Sequence, residues 1–296
     1  MNRNLAFSPE RRNKIVALAI PASLVRDTPH LREKVYKIGM IGRAASVFRI
    51  EEIVIYLDKR YSDQTKDAYL LRLILEYMET PQYLRKYLFK LIPQLKYVGI
   101  LPPLRTPHHL VASKVESLSP GDIREGVVVK SYDKISFVNI GLDKLAKVKS
   151  KLKKGSRIAL GIKSIDNEIW ANPIRRREIK IYWGYRVIFP KLTLGEILKR
   201  ADYDLVIATS RHGKKAKDIL NAIRDKWEKS RKVLIVFGSP THGIDEILAQ
   251  EGIETEDIAD FKINMIPNQG VETVRTEEAA FASLSILNLL DQNHKW

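Results

Sequence analysis

The chain has 296 residues, 45% of them hydrophobic and 29% charged, with a formal net charge of +16 and no cysteine. This composition excludes disulfides, thiolate metal sites and thiol catalysis, and it supplies enough apolar material for one large domain or two unequal ones. No apolar run approaches the roughly 18–20 residues that a membrane span needs, and a cytoplasmic protein is expected. The positive charge is unevenly placed. Residues 1–43 carry nine basic against three acidic side chains, and 112–180 carry sixteen against eight, whereas 181–296 carry sixteen against seventeen. Charge concentrated in part of a molecule points to a polyanionic partner, nucleic acid above all; the alternative is a lysine-rich solvated surface.

Arg11, Arg12 and Lys14 precede the apolar run 15–20, an order that resembles a signal peptide, but Pro21 interrupts it at once. The run reads as a buried strand. Thr28 followed by Pro29 supplies a capping residue and a favoured first-turn residue, predicting a helix that begins there and runs towards Phe48. A strand at 53–56 and a helix at 64–78 follow. Between 111 and 180 the texture changes to short strands at 127–129, 135–138, 157–161 and 168–171, punctuated by Ser119-Pro120-Gly121 and Lys154-Gly155. That pattern predicts a small β-barrel of the OB type. Its run of Lys147, Lys149, Lys151, Lys153 and Lys154 is suited to tracking a phosphate backbone, making these the candidate RNA-binding residues.

Beyond the barrel, strands at 205–208, 233–237 and 263–266 alternate with helices at 214–229 and from Thr276, where Glu277 and Glu278 complement the helix dipole. Continuous rather than alternating hydrophobicity marks parallel strands covered on both faces. The expected architecture is an α/β domain with a mainly parallel sheet, formed by 1–110 and 181–296 and interrupted by the barrel at 111–180. Two loops stand out. Phe237-Gly238-Ser239-Pro240-Thr241-His242-Gly243 follows a strand and leads into a helix, and 264–276 leaves a strand through Pro267 and Gly270. Loops past the carboxyl ends of parallel strands are where such sheets bind ligands. His242, flanked by glycine in its loop, reads as a local hydrogen-bonding residue, the alternative being a general base; the pair His108-His109 has no companions at metal-ligand spacing, so no metal is expected.

The order of strand, GSPTHG loop, helix, strand, IPNQGVETVRTEEA loop and final helix resembles the SPOUT (α/β-knot) RNA methyltransferases. Ile41-Gly42-Arg43-Ala44-Ala45, Pro81-Gln82-Tyr83-Leu84-Arg85, Leu101-Pro102-Pro103-Leu104 with Pro107-His108-His109, and Tyr182-Trp183-Gly184-Tyr185 are similar to the archaeal and eukaryotic branch, whose core is interrupted by an OB-like barrel. The resemblance implies a trefoil-knotted domain, a homodimer formed through it, and S-adenosylmethionine held by three loops. The residues it assigns to that cofactor are Thr209, Ser210, Gly238, Ser239, Pro240, Gly243, Ile266, Pro267, Asn268, Gln269, Gly270, Val271, Thr273 and Val274. It implies a catalytic role for Arg43 at the acceptor nucleotide, and RNA contact for Arg275. Ribosomal RNA is the expected substrate and N3 of a uridine the expected acceptor. A non-catalytic RNA-binding ribosome-assembly factor with the same fold is the alternative, against which the intact loop glycines argue. A nucleotide-binding Rossmann protein is weakened by the missing G-x-G-x-x-G and P-loop patterns.

Overall fold

The computed structural model describes residues 7–59, 62–110 and 114–291. In chain order the elements are β1 (Ile15–Pro21), α1 (Leu31–Val47), β2 (Glu52–Tyr56), α2 (Thr65–Glu79) and α3 (Gln82–Leu88), then β3 (Ile123–Ser131), β4 (Ser136–Asn139), β5 (Ala146–Val148), β6 (Arg157–Ile165) and β7 (Ile169–Pro173). They continue with β8 (Arg186–Ile188), α4 (Leu194–Arg200), β9 (Leu205–Lys215), α5 (Ala216–Lys229), β10 (Lys232–Val236), α6 (Ile244–Ala249), α7 (Thr255–Ile258), β11 (Phe261–Asn264) and α8 (Thr276–Asn288).

These elements form two compact units. One comprises Arg12–Glu76, Gln94–Pro103 and Tyr185–Trp296; the other comprises Tyr77–Pro93, Leu104–Gly184 and the described part of Met1–Arg11. The barrel's unit is thus larger than the segment 111–180 read from composition, and the 111 boundary itself falls outside the described residues. It gathers 77–93 because Glu79 enters the ion cluster described below, and part of the N-terminus because the Arg11 N–H donates to Lys180 O and the Tyr182 N–H to Pro9 O; no local pattern announces either.

In the first unit six strands lie in the order β11-β9-β10-β1-β2-β8, every neighbouring pair parallel. The expected parallel sheet is present, with β8 added at its edge. Strand residues alternate between faces. Ala17, Ala19, Val54, Tyr56, Val206, Leu234 and Val236 form one core with Leu194 and Ile197 of α4 and Ile244, Ile247 and Leu248 of α6. α5 packs along β9, and α8 packs on α1. The start of α1 differs from expectation. The cap residue is His30, without a side-chain cap, because Thr28 is consumed in a turn, its N–H on Val25 O and its hydroxyl on Asp27. Met265 and Ile266 lie beyond the end of β11 rather than in it.

In the second unit β3-β4-β5-β7-β6 close into a barrel. Its interior is filled by Val128, Val138, Ile140, Ala146, Val148, Leu160, Ile162, Ile169 and Ala171. β5 is the strand that the sequence hides. It has three residues, two apolar side chains turned inward around one outward lysine, so it reads as part of the lysine run.

A buried ion cluster ties 77–93 to the barrel. Arg157 donates to Glu79 Oε2 at 2.5 Å and to Glu125 Oε2 at 2.8 Å, while Trp183 Nε1 donates to Glu125 Oε1 at 2.6 Å. His108 and His109 both direct Nε2 at Glu79 O, at 2.9 and 2.7 Å. Gly184, at φ +78°, passes so close that a Cβ there would meet His108 Cε1 at 2.5 Å. Burial raises the Glu79 pKa, but Arg157, His108 and Arg176 outweigh it and hold the carboxyl well below the usual range. Burial, with the neighbouring His108 ring, lowers His109 from 6.5 to about 3. Because His109 binds its proton more weakly when folded, its share of stability is present at neutral pH and is lost as pH falls from about 6.5 towards 3; the Glu79 share is lost only below about 4.5. The unit is therefore expected to unfold at lower denaturant concentration at pH 5 than at pH 7, and His109→Gln to remove most of that difference, as measured by urea titrations at both values.

Candidate functional site

The six strands point their carboxyl ends to one edge, and there three segments enclose a cavity of about 310 Å³, at the lower end of the roughly 300–1,000 Å³ usual for small-molecule sites. The first segment is created by a break in strand pairing. Phe261 and Lys262 of β11 pair with Ile207 and Ala208 of β9, but the next residue, Ile263, pairs with Lys214. Residues 209–213 therefore leave the sheet, and Thr209, Ser210, Arg211 and His212 line the cavity. Thr209 anchors the departure by donating to Val236 O at 2.8 Å. Gly213 closes it: a Cβ there would lie 2.5 Å from the Ile263 backbone nitrogen, a close approach that no side chain permits.

The second segment follows β10. Tyr56, wholly buried, donates its hydroxyl to Phe237 O at 2.6 Å, and burial pushes that phenol well above its usual pKa. Ser239 and His242 close the loop on each other, Ser239 N–H to His242 O and His242 N–H to Ser239 Oγ, both at 2.9 Å. The Glu246 carboxylate then accepts the Gly243 N–H at 2.9 Å to start α6. The third segment follows β11. Asn264 ties it to the first by donating to Arg211 O at 2.9 Å and accepts the Ile266 N–H at 3.0 Å. Gln269 holds the turn by donating to Val271 O and Glu272 O. Thr276, opening α8, donates to Gly238 O at 3.3 Å, which seats the last helix against the second segment.

Of the cofactor residues assigned from the sequence, Thr209, Ser210, Gly238, Ser239, Pro240, Gly243, Ile266, Gln269, Thr273 and Val274 line this cavity. Pro267, Asn268, Gly270 and Val271 do not. They form the outer turn of the third segment, where Asn268 takes φ +58° and Val271 is 58% exposed. Arg43 and Arg275 lie outside the lining as well. Arg43 donates to Pro103 O at 2.9 Å, and Arg275 borders a second cavity of about 710 Å³ beside α1. Sequence reasoning missed Asp245, Glu246, Met265 and Ala279 in the first lining. The two acids look like ordinary first-turn residues of a helix, and Glu246 does serve as one. Among the described residues no three His, Cys, Asp or Glu side chains are grouped to hold a metal, and no helix is long and apolar enough to cross a membrane.

In the barrel, the lysine run is less free than its sequence implies. Lys147 pairs with Glu168 and lies over Phe137 and Trp170, Lys149 lies over Trp170, and Lys151 pairs with Asp133. Lys153 and Lys154 are exposed.

The sequence is similar to those of known proteins. The family described as "Putative RNA methyltransferase" matches residues 15–287. The 28S rRNA (uridine-N(3))-methyltransferase of Drosophila melanogaster is 30% identical over 308 residues, covering 92% of this chain and 61% of that protein. The human 28S rRNA (uridine-N(3))-methyltransferase is 29% identical, covering 92% of this chain and 77% of its own length. An uncharacterised protein of Haloarcula marismortui is 31% identical over 93% of this chain and 99% of its own. The chain thus spans about three-fifths of the Drosophila relative. Removing the Tyr56 hydroxyl orphans a buried carbonyl at the root of the second segment, at a cost of roughly 1–3 kcal/mol. Tyr56→Phe is expected to lower the denaturation midpoint accordingly, with increased amide exchange at Gly238 and Ser239.

Proposed function

The chain belongs to the RNA methyltransferase family whose match spans residues 15–287, and on that premise we propose that it transfers a methyl group from S-adenosylmethionine to N3 of a uridine in ribosomal RNA. The observation that carries this reading is the cavity at the carboxyl edge of the parallel sheet, built from the three segments at which the family resemblance places the methyl donor. The uridine N3 specificity is supported by relatives that are named for it and match 92% of this chain.

The lining suits the donor chemically. Met265, Ile266, Val274 and Ala279 offer apolar contact for a purine, and Thr209, Ser239 and Gln269 offer polar groups for its edge and ribose. Asp245, Glu246 and Glu272 suit a positively charged ligand, while Arg211 and His212 suit the carboxylate of its amino-acid end. When bound, S-adenosylmethionine supplies a methyl group activated by its sulfonium. The protein's task is to hold the acceptor in line with that methyl, so positioning outweighs acid–base chemistry. Transfer would release neutral S-adenosylhomocysteine and pass the uracil N3 proton to solvent, the methyl group taking its place.

The reading includes the trefoil knot. Its support is the path of the last segment, which leaves edge strand β11, bonds to the loop after β10 through Thr276, and ends with α8 on α1. It also includes a homodimer through this domain. Arg12 joins the carboxyl ends of α1 and α8, donating to Phe48 O and Asn288 Oδ1. The residues next to these in sequence, Val47 and Leu289, are about half exposed, an apolar edge fitted to a second copy. Arg43 acts in this reading as a positioning residue, holding the 101–103 segment through Pro103.

Calorimetric titration with S-adenosylmethionine and S-adenosylhomocysteine is expected to give saturable binding, and mass spectrometry of treated ribosomal RNA a methylated uridine. Gly243 lines the cavity and Gly270 does not, although a Cβ at either meets nothing within 4 Å. Gly243→Trp is therefore expected to abolish donor binding and Gly270→Trp to preserve it; equal binding by both variants refutes the site. For the RNA grip, Lys149→Ala with Lys153→Ala is expected to lower RNA affinity and reduce the slope of log K against log salt by about 2, read from fluorescence anisotropy between low and physiological salt.

A further inference from the structure

Beside the donor cavity lies the second one, of about 710 Å³, bordered by Arg32 and Tyr36 of α1, by Ile100 of a short turn (Val98–Ile100), and by Arg275. Arg32 and Tyr36 are four residues apart and so share one helix face. Tyr36 is 52% exposed although it is a large aromatic on a packed helix. Lys37, which also borders the cavity, is already neutralised by Asp27 at 3.1 Å. Arg32 and Arg275 have no ion-pair partner among the described residues, which leaves two uncommitted guanidinium groups against one carboxylate, Glu33.

The two cavities draw lining residues from one segment of chain. Glu272, Thr273 and Val274 line the donor cavity, and the next residue, Arg275, lines the second. Thr276 again lines the first, so consecutive residues of 272–276 serve one cavity and the other. Methyl transfer requires such adjacency, and enzymes that modify a base hold it unstacked from its neighbours, commonly against an aromatic ring with its phosphates on arginine.

We infer that this second cavity is the acceptor site, taking an unstacked uridine nucleotide of single-stranded RNA with its base on Tyr36 and its flanking phosphates on Arg32 and Arg275. The inference rests on the RNA methyltransferase reading and adds the place of the acceptor to it. It also accounts for Arg43. That residue lies seven positions, two helical turns, beyond Tyr36 on α1 and fixes Pro103, while Gly39 between them lets Leu101 approach so closely that a Cβ would meet its Cδ2 at 2.7 Å. The segment carrying Ile100 is thereby clamped to the helix that carries Tyr36.

The test uses the full chain with S-adenosylhomocysteine and a single-stranded RNA oligonucleotide containing 5-iodouridine, irradiated and mapped by mass spectrometry. A cross-link on the peptide containing Tyr36 is expected, and its loss in Arg32→Ala with Arg275→Ala. Cross-links confined to the barrel overturn the inference. In methylation assays Tyr36→Ala is expected to lower kcat/KM about tenfold, the loss of one base stack, with S-adenosylhomocysteine affinity unchanged and Tyr36→Phe close to the parent. Unaltered methylation by Tyr36→Ala also overturns it. If the parent protein methylates no ribosomal RNA, the functional reading fails, and the cross-link still decides the cavity. If Tyr36→Ala changes the mass in solution and no cross-link forms, the cavity is an interface between copies, and the inference falls.

Discussion

The site depends on one interruption. β9 and β11 pair for two residues, part for the length of 209–213, and pair again at Ile263 and Lys214. A parallel ladder that releases five residues from one strand and none from the other must push them out of the sheet, and here they go over its carboxyl edge. The interruption is stable because both ends are pinned, by the Thr209 hydroxyl on Val236 O and by the backbone contact of Gly213 with Ile263. Asn264, at the end of β11, completes the frame by bonding the displaced chain at Arg211 O. The other two walls are conventional strand-to-helix connections; this one turns a sheet edge into a cavity.

The barrel unit rests on a different constraint. Glu79 is almost fully buried and faces Arg157, His108 and Arg176, while Glu125 answers Arg157 and Trp183. Charges taken out of water are tolerated when each is paired, and they specify the arrangement because any partner lost leaves another stranded. The cluster joins residues 77–93 to strands of the barrel, which is why the unit reaches well outside the barrel's own sequence.

The first cavity is built from three backbone segments rather than around one reactive side chain. The first cavity is closed by main-chain turns and short polar side chains, with Asp245, Glu246 and Glu272 in its lining. The second cavity is bordered by Arg32, Tyr36 and Arg275. Such a construction fits a reaction whose barrier is lowered mainly by orientation, and it explains why no single residue in the sequence announces the activity.

How much of this was legible beforehand follows from the range of the forces involved. The parallel strands, the final helix at Thr276 and the barrel between them were readable because continuous apolar runs, turn residues and caps act within a few positions. Ten of the residues that the resemblance assigns to the cofactor line one cavity, because a loop placed after a parallel strand has few places to go. The outward turn of Pro267, Asn268, Gly270 and Val271 was not readable, since composition does not say which side of a loop faces inward. Nor were the three-residue β5, the pairing of Lys147 and Lys151 with acids, or the bond of Arg43 to Pro103 O, each decided by a partner distant in the chain. By itself the sequence determined the alternation of strands and helices, the charge and the loops, all properties of neighbouring residues. The tertiary structure decided which of those residues meet, because register, burial and ion pairing arise only between segments that folding brings together.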